Sequence, residues 1–148
     1  MEIPVVVFSI NHNRYALHLD KTEKVIPSLE VMHLPNSPDI ILGVVNIEGN
    51  IIPVVNTRKK FSLPEKEIEL GDKLIIAKTT KRLVALPADD VEGVGFYHEE
   101  QIINPKKILP NIPAVDGVIG LEDGIIIIHD IDLFLSLEEE EQLLSALC

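Results

Sequence analysis

Cysteine is almost missing from this sequence: the only one among 148 residues is Cys148, at the end. No intramolecular disulfide can form, and a zinc site built on cysteine thiolates is excluded. Tryptophan is absent, and four phenylalanines and two tyrosines are the whole aromatic complement. Basic residues are scarce as well, 13 Lys and Arg against 24 Asp and Glu, for a net charge of −11 and a pI near 4.8. That deficit argues against a nucleic-acid binder, which needs clustered basic surface for phosphates, and against anionic membrane surfaces. Long hydrophobic runs are lacking too. The longest, 40–45 and 125–128, are far too short to span a bilayer, so no direct membrane insertion is expected. Met1-Glu2-Ile3-Pro4 has neither the basic nor the apolar region of a signal peptide. Together with the cysteine usage, this predicts a cytoplasmic protein.

What the chain does contain is apolar and β-branched. Apolar residues make up 46%, charged residues 25%, and fourteen valines stand beside 21 isoleucines. Stiff β-branched side chains suit a pleated surface better than a helix, so the expected class is all-β. A chain of this length can bury roughly 70% of its unfolded surface, enough for one domain or two tightly joined halves without a staple.

Short apolar runs between turn signals predict strands at 5–10, 15–19, 24–26, 41–47, 51–56, 73–79, 81–86, 91–97, 115–121 and 124–129. Glu48-Gly49-Asn50 reads as the turn of a hairpin, and Pro53 in the return strand predicts an edge or a bulge there. Prolines keep 28–39 out of regular strands, and 98–113 reads as a long irregular stretch. Residues 57–61 read as one helical turn. The end, 137–147, is helical by period, with Ser136 as cap and Leu137, Leu143, Leu144 and Leu147 expected along one face.

The second half repeats the first. Gly43-Val44-Val45-Asn46-Ile47-Glu48 aligns on Gly117-Val118-Ile119-Gly120-Leu121-Glu122, displaced by 74 residues, and Ile51-Ile52 then falls on Ile125-Ile126. Leu17 to Val25 aligns on Leu86 to Val94, displaced by 69, with Asp20 on Asp89 and Glu23 on Glu92. Two offsets so close predict a duplicated β unit of about five strands.

Chemistry is thin by comparison. His12, His18, His33, His98 and His129 are scattered without ligand spacing, so no metal is expected. No nucleophile elbow, P-loop or dinucleotide glycine fingerprint occurs, and no cofactor is expected. Asp89-Asp90 and His129 with Asp130 and Asp132 are the only acid/base groupings, and both read better as turn and strand-end residues. The expectation is a protein that is not an enzyme.

The stretch from Leu42 to Arg58, Leu-Gly-Val-Val-Asn-Ile-Glu-Gly-Asn-Ile-Ile-Pro-Val-Val-Asn-Thr-Arg, resembles the signature of the chemotaxis coupling proteins, the CheW family. Pro35 and Pro38 are similar to the pair that precedes it. Val84 to Val94 resembles the family's second block, and Gly117 to Leu135 its closing hairpin and strand. The resemblance implies two tandem SH3-like five-stranded barrels with a short C-terminal helix. Boundaries are set at about 15–72 for the first, 73–135 with 1–14 packing across for the second, and 136–148 for the helix. It also implies a non-catalytic adaptor that binds the regulatory domain of a histidine kinase and the cytoplasmic tip of a chemoreceptor. The contact residues it implies are Thr22, Lys24, Val25, Gly43, Asn46, Glu48 and Gly49. Where the family carries Arg, this chain has Glu48, and a frequent Glu falls on Lys24, so the two are expected to pair across adjacent strands. A second reading, from a different class, is a small-molecule binder using the cleft between the barrels.

Overall fold

Eleven strands and two α-helices are found in the described parts of the chain, residues 1–104 and 114–148 of a computed structural model. In chain order the strands are β1 (Glu2–Ile10), β2 (Asn13–His18), β3 (Thr22–Pro27), β4 (Ile41–Ile47), β5 (Asn50–Val55), β6 (Lys73–Lys78), β7 (Leu83–Ala88), β8 (Asp90–His98), β9 (Ile102–Ile103), β10 (Val115–Leu121) and β11 (Gly124–His129). The helices are α1 (Thr57–Lys60) and α2 (Leu137–Leu147). Most predicted strands therefore form, within a residue or two at their ends. The predicted irregular stretch at 98–113 lies partly outside the described residues.

The strands divide into two sheets. Sheet one runs β8-β1-β2-β11-β10-β9 and sheet two runs β3-β6-β7-β5-β4. Each curls around its own core, Val5, Val7, Ala16, Ile119, Ile126 and Ile128 in the first and Val45, Ile47, Ile52, Val54, Leu74, Ile76 and Ala85 in the second. This is the pair of SH3-like units the resemblance implied. A third core lies between them, where Phe8, Ile10, Tyr15 and Leu17 of sheet one meet Ile75, Ala77, Val84 and Leu86 of sheet two. The four strands that carry these residues are thus buried on both faces. Hence their centres are consecutive apolar residues, as in Leu74 to Ala77, whereas in β8, exposed on one face, burial alternates residue by residue. Along β1 simple alternation serves both cores, Val5 and Val7 facing the sheet's own core and Phe8 and Ile10 the shared one.

The internal repeat is present in the strands, but it crosses between the sheets. Strands β1 to β5 correspond to β6, β7, β8, β10 and β11. In the first copy the chain leaves sheet one after β2, and in the second it leaves sheet two after β7. Each sheet thus combines two strands of one copy with three of the other, and sheet one adds the short β9. Even irregularities recur. Glu23 is the extra residue of a bulge in β3 and its equivalent Glu92 of one in β8, while Leu42 in β4 matches Asp116 in β10. The parallel pairing Val54↔Ala85 likewise matches Ile128↔Ala16.

Three expectations need correction. The division near residue 72 is not where the sheets part, because β6 and β7 pair with β3 and β5, and β1 and β2 with β8 and β11. A linear cut suits tandem units, and these are interlaced. Pro53 does not mark an edge: β5 lies inside its sheet, and Pro53 sits beside a seam with β7 paired only at Val54↔Ala85. In α2, Leu143 is buried and Leu147 half-buried, but Leu137 and Leu144 face solvent. The inner face instead includes Glu140, whose Oε2 lies 3.3 Å from Arg82 Nη2. That approach is an ion pair without hydrogen-bond geometry, since Oε2 finds no hydrogen-bond partner.

The crossing from β7 to β8 is held by charge. Arg58 in α1 donates from Nη2 to both oxygens of Asp89, at 2.8 and 2.9 Å, and Asp89 also accepts the Asn11 N–H at 2.8 Å. Burial works to raise the Asp89 pKa, but the Asn11 amide and the Arg58 guanidinium outweigh it and hold the carboxyl below its ordinary value. The equivalent crossing from β2 to β3 uses the reverse polarity, Lys21 to Asp132 at 3.4 Å. Asp89→Ala should cost about 2–3 kcal/mol, as expected for charge-assisted hydrogen bonds at a partly buried site. Glu92→Ala, which removes the more exposed Arg14–Glu92 pair, should cost at most about 1 kcal/mol. Urea denaturation of the two variants checks the order, and equal costs would remove the role given to the crossing.

Candidate functional surfaces

The residues implied by resemblance fall in two groups on sheet two. Thr22, Lys24 and Val25 lie on β3, at one end of the strand order, and Gly43, Asn46, Glu48 and Gly49 on the β4–β5 hairpin, at the other. Because β6, β7 and β5 stand between them in the sheet, Lys24 and Glu48 are not on adjacent strands and form no ion pair. Both remain exposed. The exchanged charges are two separate surface features.

Local chemistry explains much of the hairpin. Glu48 and Gly49 both adopt positive φ, 52° and 89°, which is the two-residue turn whose twist suits a hairpin. Asn50 is already the first residue of β5, paired with Ile47, so the turn is shorter than the three residues expected. Asn46 braces it, its Oδ1 accepting the Gly49 N–H at 2.9 Å. Gly43 has a different task. The segment after β3 returns along β4, and Met32 exchanges both backbone hydrogen bonds with Val44 at 2.8 Å. A Cβ on Gly43 would lie 2.3 Å from the Met32 carbonyl oxygen and 2.8 Å from Val31 Cγ1. Gly43 therefore lets this segment close over the β4 edge. On β3, Thr22 Oγ1 donates to the His18 carbonyl, whereas Val25 is 39% exposed.

A second surface was missed. β8 is the repeat equivalent of β3 and likewise lies at the edge of its sheet. It exposes Val94 and Phe96, the latter 63% accessible. Val94 stands 69 residues after Val25, so the offset already found in the sequence would have located it. Ile51 and Ile125, equivalent positions just past the two hairpin turns, are also about half exposed, at 50% and 49%. Exposed apolar side chains thus recur at matching places on both units.

The acid/base groupings have structural work. Asp130 accepts the Asp132 N–H and caps a 3-10 turn at 131–133. Asp132 accepts the Thr80 N–H at 2.7 Å, and that bond, helped by Lys21, lowers its pKa. His129 is buried, stacked on Phe61 at 4.1 Å and edge-on to Phe134. Its Nδ1 lies 3.1 Å from the Ala114 carbonyl, which can only accept, so Nδ1 carries the proton and the buried Nε2 is left without a partner. The cleft expected between the barrels is filled by the shared core. Among the described residues, no three His, Cys, Asp or Glu side chains converge as metal ligands would.

A family model described as "CheW-like domain" matches residues 4–139. The chain is similar to the chemotaxis protein CheW of Thermotoga maritima, 33% identical over 101 residues, covering 68% of this chain and 66% of that one. The CheW of Klebsiella aerogenes is 26% identical over 136 residues, covering 90% and 82%. Among solved structures, the scaffolding protein TtCheW from Thermoanaerobacter tengcongensis superposes with a TM-score of 0.84 at 25% identity, covering 94% of this chain and 96% of that one.

Two predictions follow from these positions. Gly43→Ala should destabilise by about 1–3 kcal/mol through the clash with Met32. Gly49→Ala, with open space around its Cβ, should cost only the about 1–2 kcal/mol of a left-handed backbone. A thermal melt in which Gly43→Ala is neutral would show that the glycine does not serve closure. Burial lowers the His129 pKa from 6.5 to about 4. The unfolded state therefore binds the proton first as pH falls, so this contribution is complete above pH 6.5 and is lost down toward pH 4. At pH 5 the loss should be about 2 kcal/mol. The decline in stability between pH 7 and pH 5 should be smaller by that amount in His129→Phe.

Proposed function

This chain belongs to the CheW-like domain family, and on that premise we propose that it is a non-catalytic adaptor of the cytoplasm, coupling a chemoreceptor to a chemotaxis histidine kinase. The observation that carries the reading is the exposed edges of the two units, β3 and, at the opposite end of the same sheet, the β4–β5 hairpin on one, and β8, the equivalent of β3, on the other. A coupler must hold two partners at once, and two related but separate surfaces on one rigid body meet that need. The partners are the regulatory domain of the kinase and the cytoplasmic tip of the receptor.

Thr22, Lys24 and Val25 act as contact residues on β3, and Asn46, Glu48 and Gly49 on the hairpin, where Gly43 shapes the β4 edge from beneath. Each contact buries on the order of 800 Å² per partner or less, which gives reversible binding. No helix among the described residues is long and apolar enough to cross a membrane, so attachment to the receptor is through protein contact. Glu48 cannot reproduce the planar fork of an arginine, and the partner at this hairpin therefore carries a complementary change.

Calorimetry against the kinase regulatory domain and the receptor tip from the same cell tests this. Wild type should bind both at micromolar affinity. Glu48→Arg and Phe96→Asp, each with an unchanged melting temperature, should each weaken at least one partner by about tenfold or more. Absence of wild-type binding to both partners would remove the adaptor reading. Normal binding by both variants would remove the surfaces assigned to it.

A further inference from the structure

One feature of sheet two is absorbed by neither surface. A groove of about 920 Å³ runs beside β4, between the segment at 28–31 and the loop at 65–70. Leu29, Val31, Leu42 and Ile68 give it an apolar lining, and Leu29 and Leu42 remain 41% and 40% exposed. Its other lining residues are strongly acidic. Glu30, Glu65 and Glu67 have no cationic partner among the ion pairs, and the one lysine present, Lys66, is already engaged by Glu69 at 3.5 Å and Asp72 at 3.9 Å.

The walls are fastened to each other. Ser28 N–H donates to the Asp72 carbonyl at 3.0 Å, and Ser28 Oγ donates to the Glu69 carbonyl at 2.8 Å. Leu42 is the extra residue of the β4 bulge, a device that re-aims a side chain. Its repeat equivalent is Asp116, which is bound to His18 at 2.5 Å. The two units therefore differ here: one closes the position with a polar pair and the other leaves a leucine open.

We propose that this groove is a docking site for a basic amphipathic helix of a partner protein, distinct from the two surfaces above. Apolar side chains of the helix meet Leu29, Leu42 and Ile68, and lysines or arginines along its flanks meet the glutamates. The occupant is a helix and not an added strand because the Val44 N–H and carbonyl on the β4 edge are both taken by Met32. An extended peptide would find that part of the ladder closed, whereas a helix brings its own backbone hydrogen bonds.

The test is fluorescence anisotropy with a labelled synthetic peptide of about 16 residues, leucines at i, i+3, i+4 and i+7 and lysines flanking them. Wild type should bind it, and a scrambled peptide of the same composition should bind at least about tenfold more weakly. Glu65→Lys/Glu67→Lys should lose about tenfold or more for the lysine peptide and gain binding to its glutamate counterpart. Glu99→Lys/Glu141→Lys, with the same change in net charge at exposed sites elsewhere, should bind like wild type. Equal losses in the two double variants, or equal binding of the scrambled peptide, would mean only the overall −11 charge attracts it and would overturn the site. No binding by wild type would overturn it as well, whatever the kinase and receptor measurements give.

Discussion

The structure depends on one buried seam. Phe8, Ile10, Tyr15 and Leu17 from one sheet and Ile75, Ala77, Val84 and Leu86 from the other form a core that belongs to neither sheet alone. Its contribution goes beyond area removed from water. Four central strands become apolar on both faces, so neither sheet could stand in solvent without the other. The two units are therefore held as one body, and the surfaces left for partners are confined to edge strands, hairpin tips and the outer groove.

Around that seam the polar contacts do the placing. Each crossing between the sheets is tied by an ion pair, Arg58 with Asp89 in one case and Lys21 with Asp132 in the other. The signs are exchanged between the two copies: Asp132 is the equivalent of Arg58, while Lys21 lies one residue past Asp20, the equivalent of Asp89. The same freedom is visible at the bulge positions, where Leu42 is open and Asp116 is paired. Equivalent backbone with unlike side chains is what allows one chain to offer unlike faces to different partners.

Much of this was legible from the chain alone, and the reasons can be traced to particular residues. Runs such as Leu74 to Ala77 and Ile125 to Ile128, short, rich in isoleucine and bounded by turn signals, read as strands, and the two offsets exposed the duplication. The pairing was hidden because periodicity says nothing about which sheet a strand joins. Both a tandem and an interlaced arrangement satisfy the same repeat, and only long-range contacts such as Val54↔Ala85 distinguish them. Lys24 and Glu48 illustrate the cost: a complementary pair of charges in the sequence is separated by three strands in the sheet. Leu144 shows a second limit. A helix of 11 residues with only part of one face buried has too weak a period to tell which leucines point inward. Val94 and Phe96 were hidden for another reason, since exposure of apolar residues on an edge strand follows from topology.

The pairing of β1 with β8 sets an order in time. Glu2 lies opposite His98, so β1 cannot find its edge partner until synthesis has reached β8. Sheet two has all five of its strands by residue 88 and can close while synthesis continues. Sheet one must wait for β11, which ends at His129. In the interval the apolar backs of β1 and β2 have only the finished sheet two to rest against. The seam that joins the two units in the folded protein is thus also the shelter under which the N-terminal hairpin waits for the rest of its sheet.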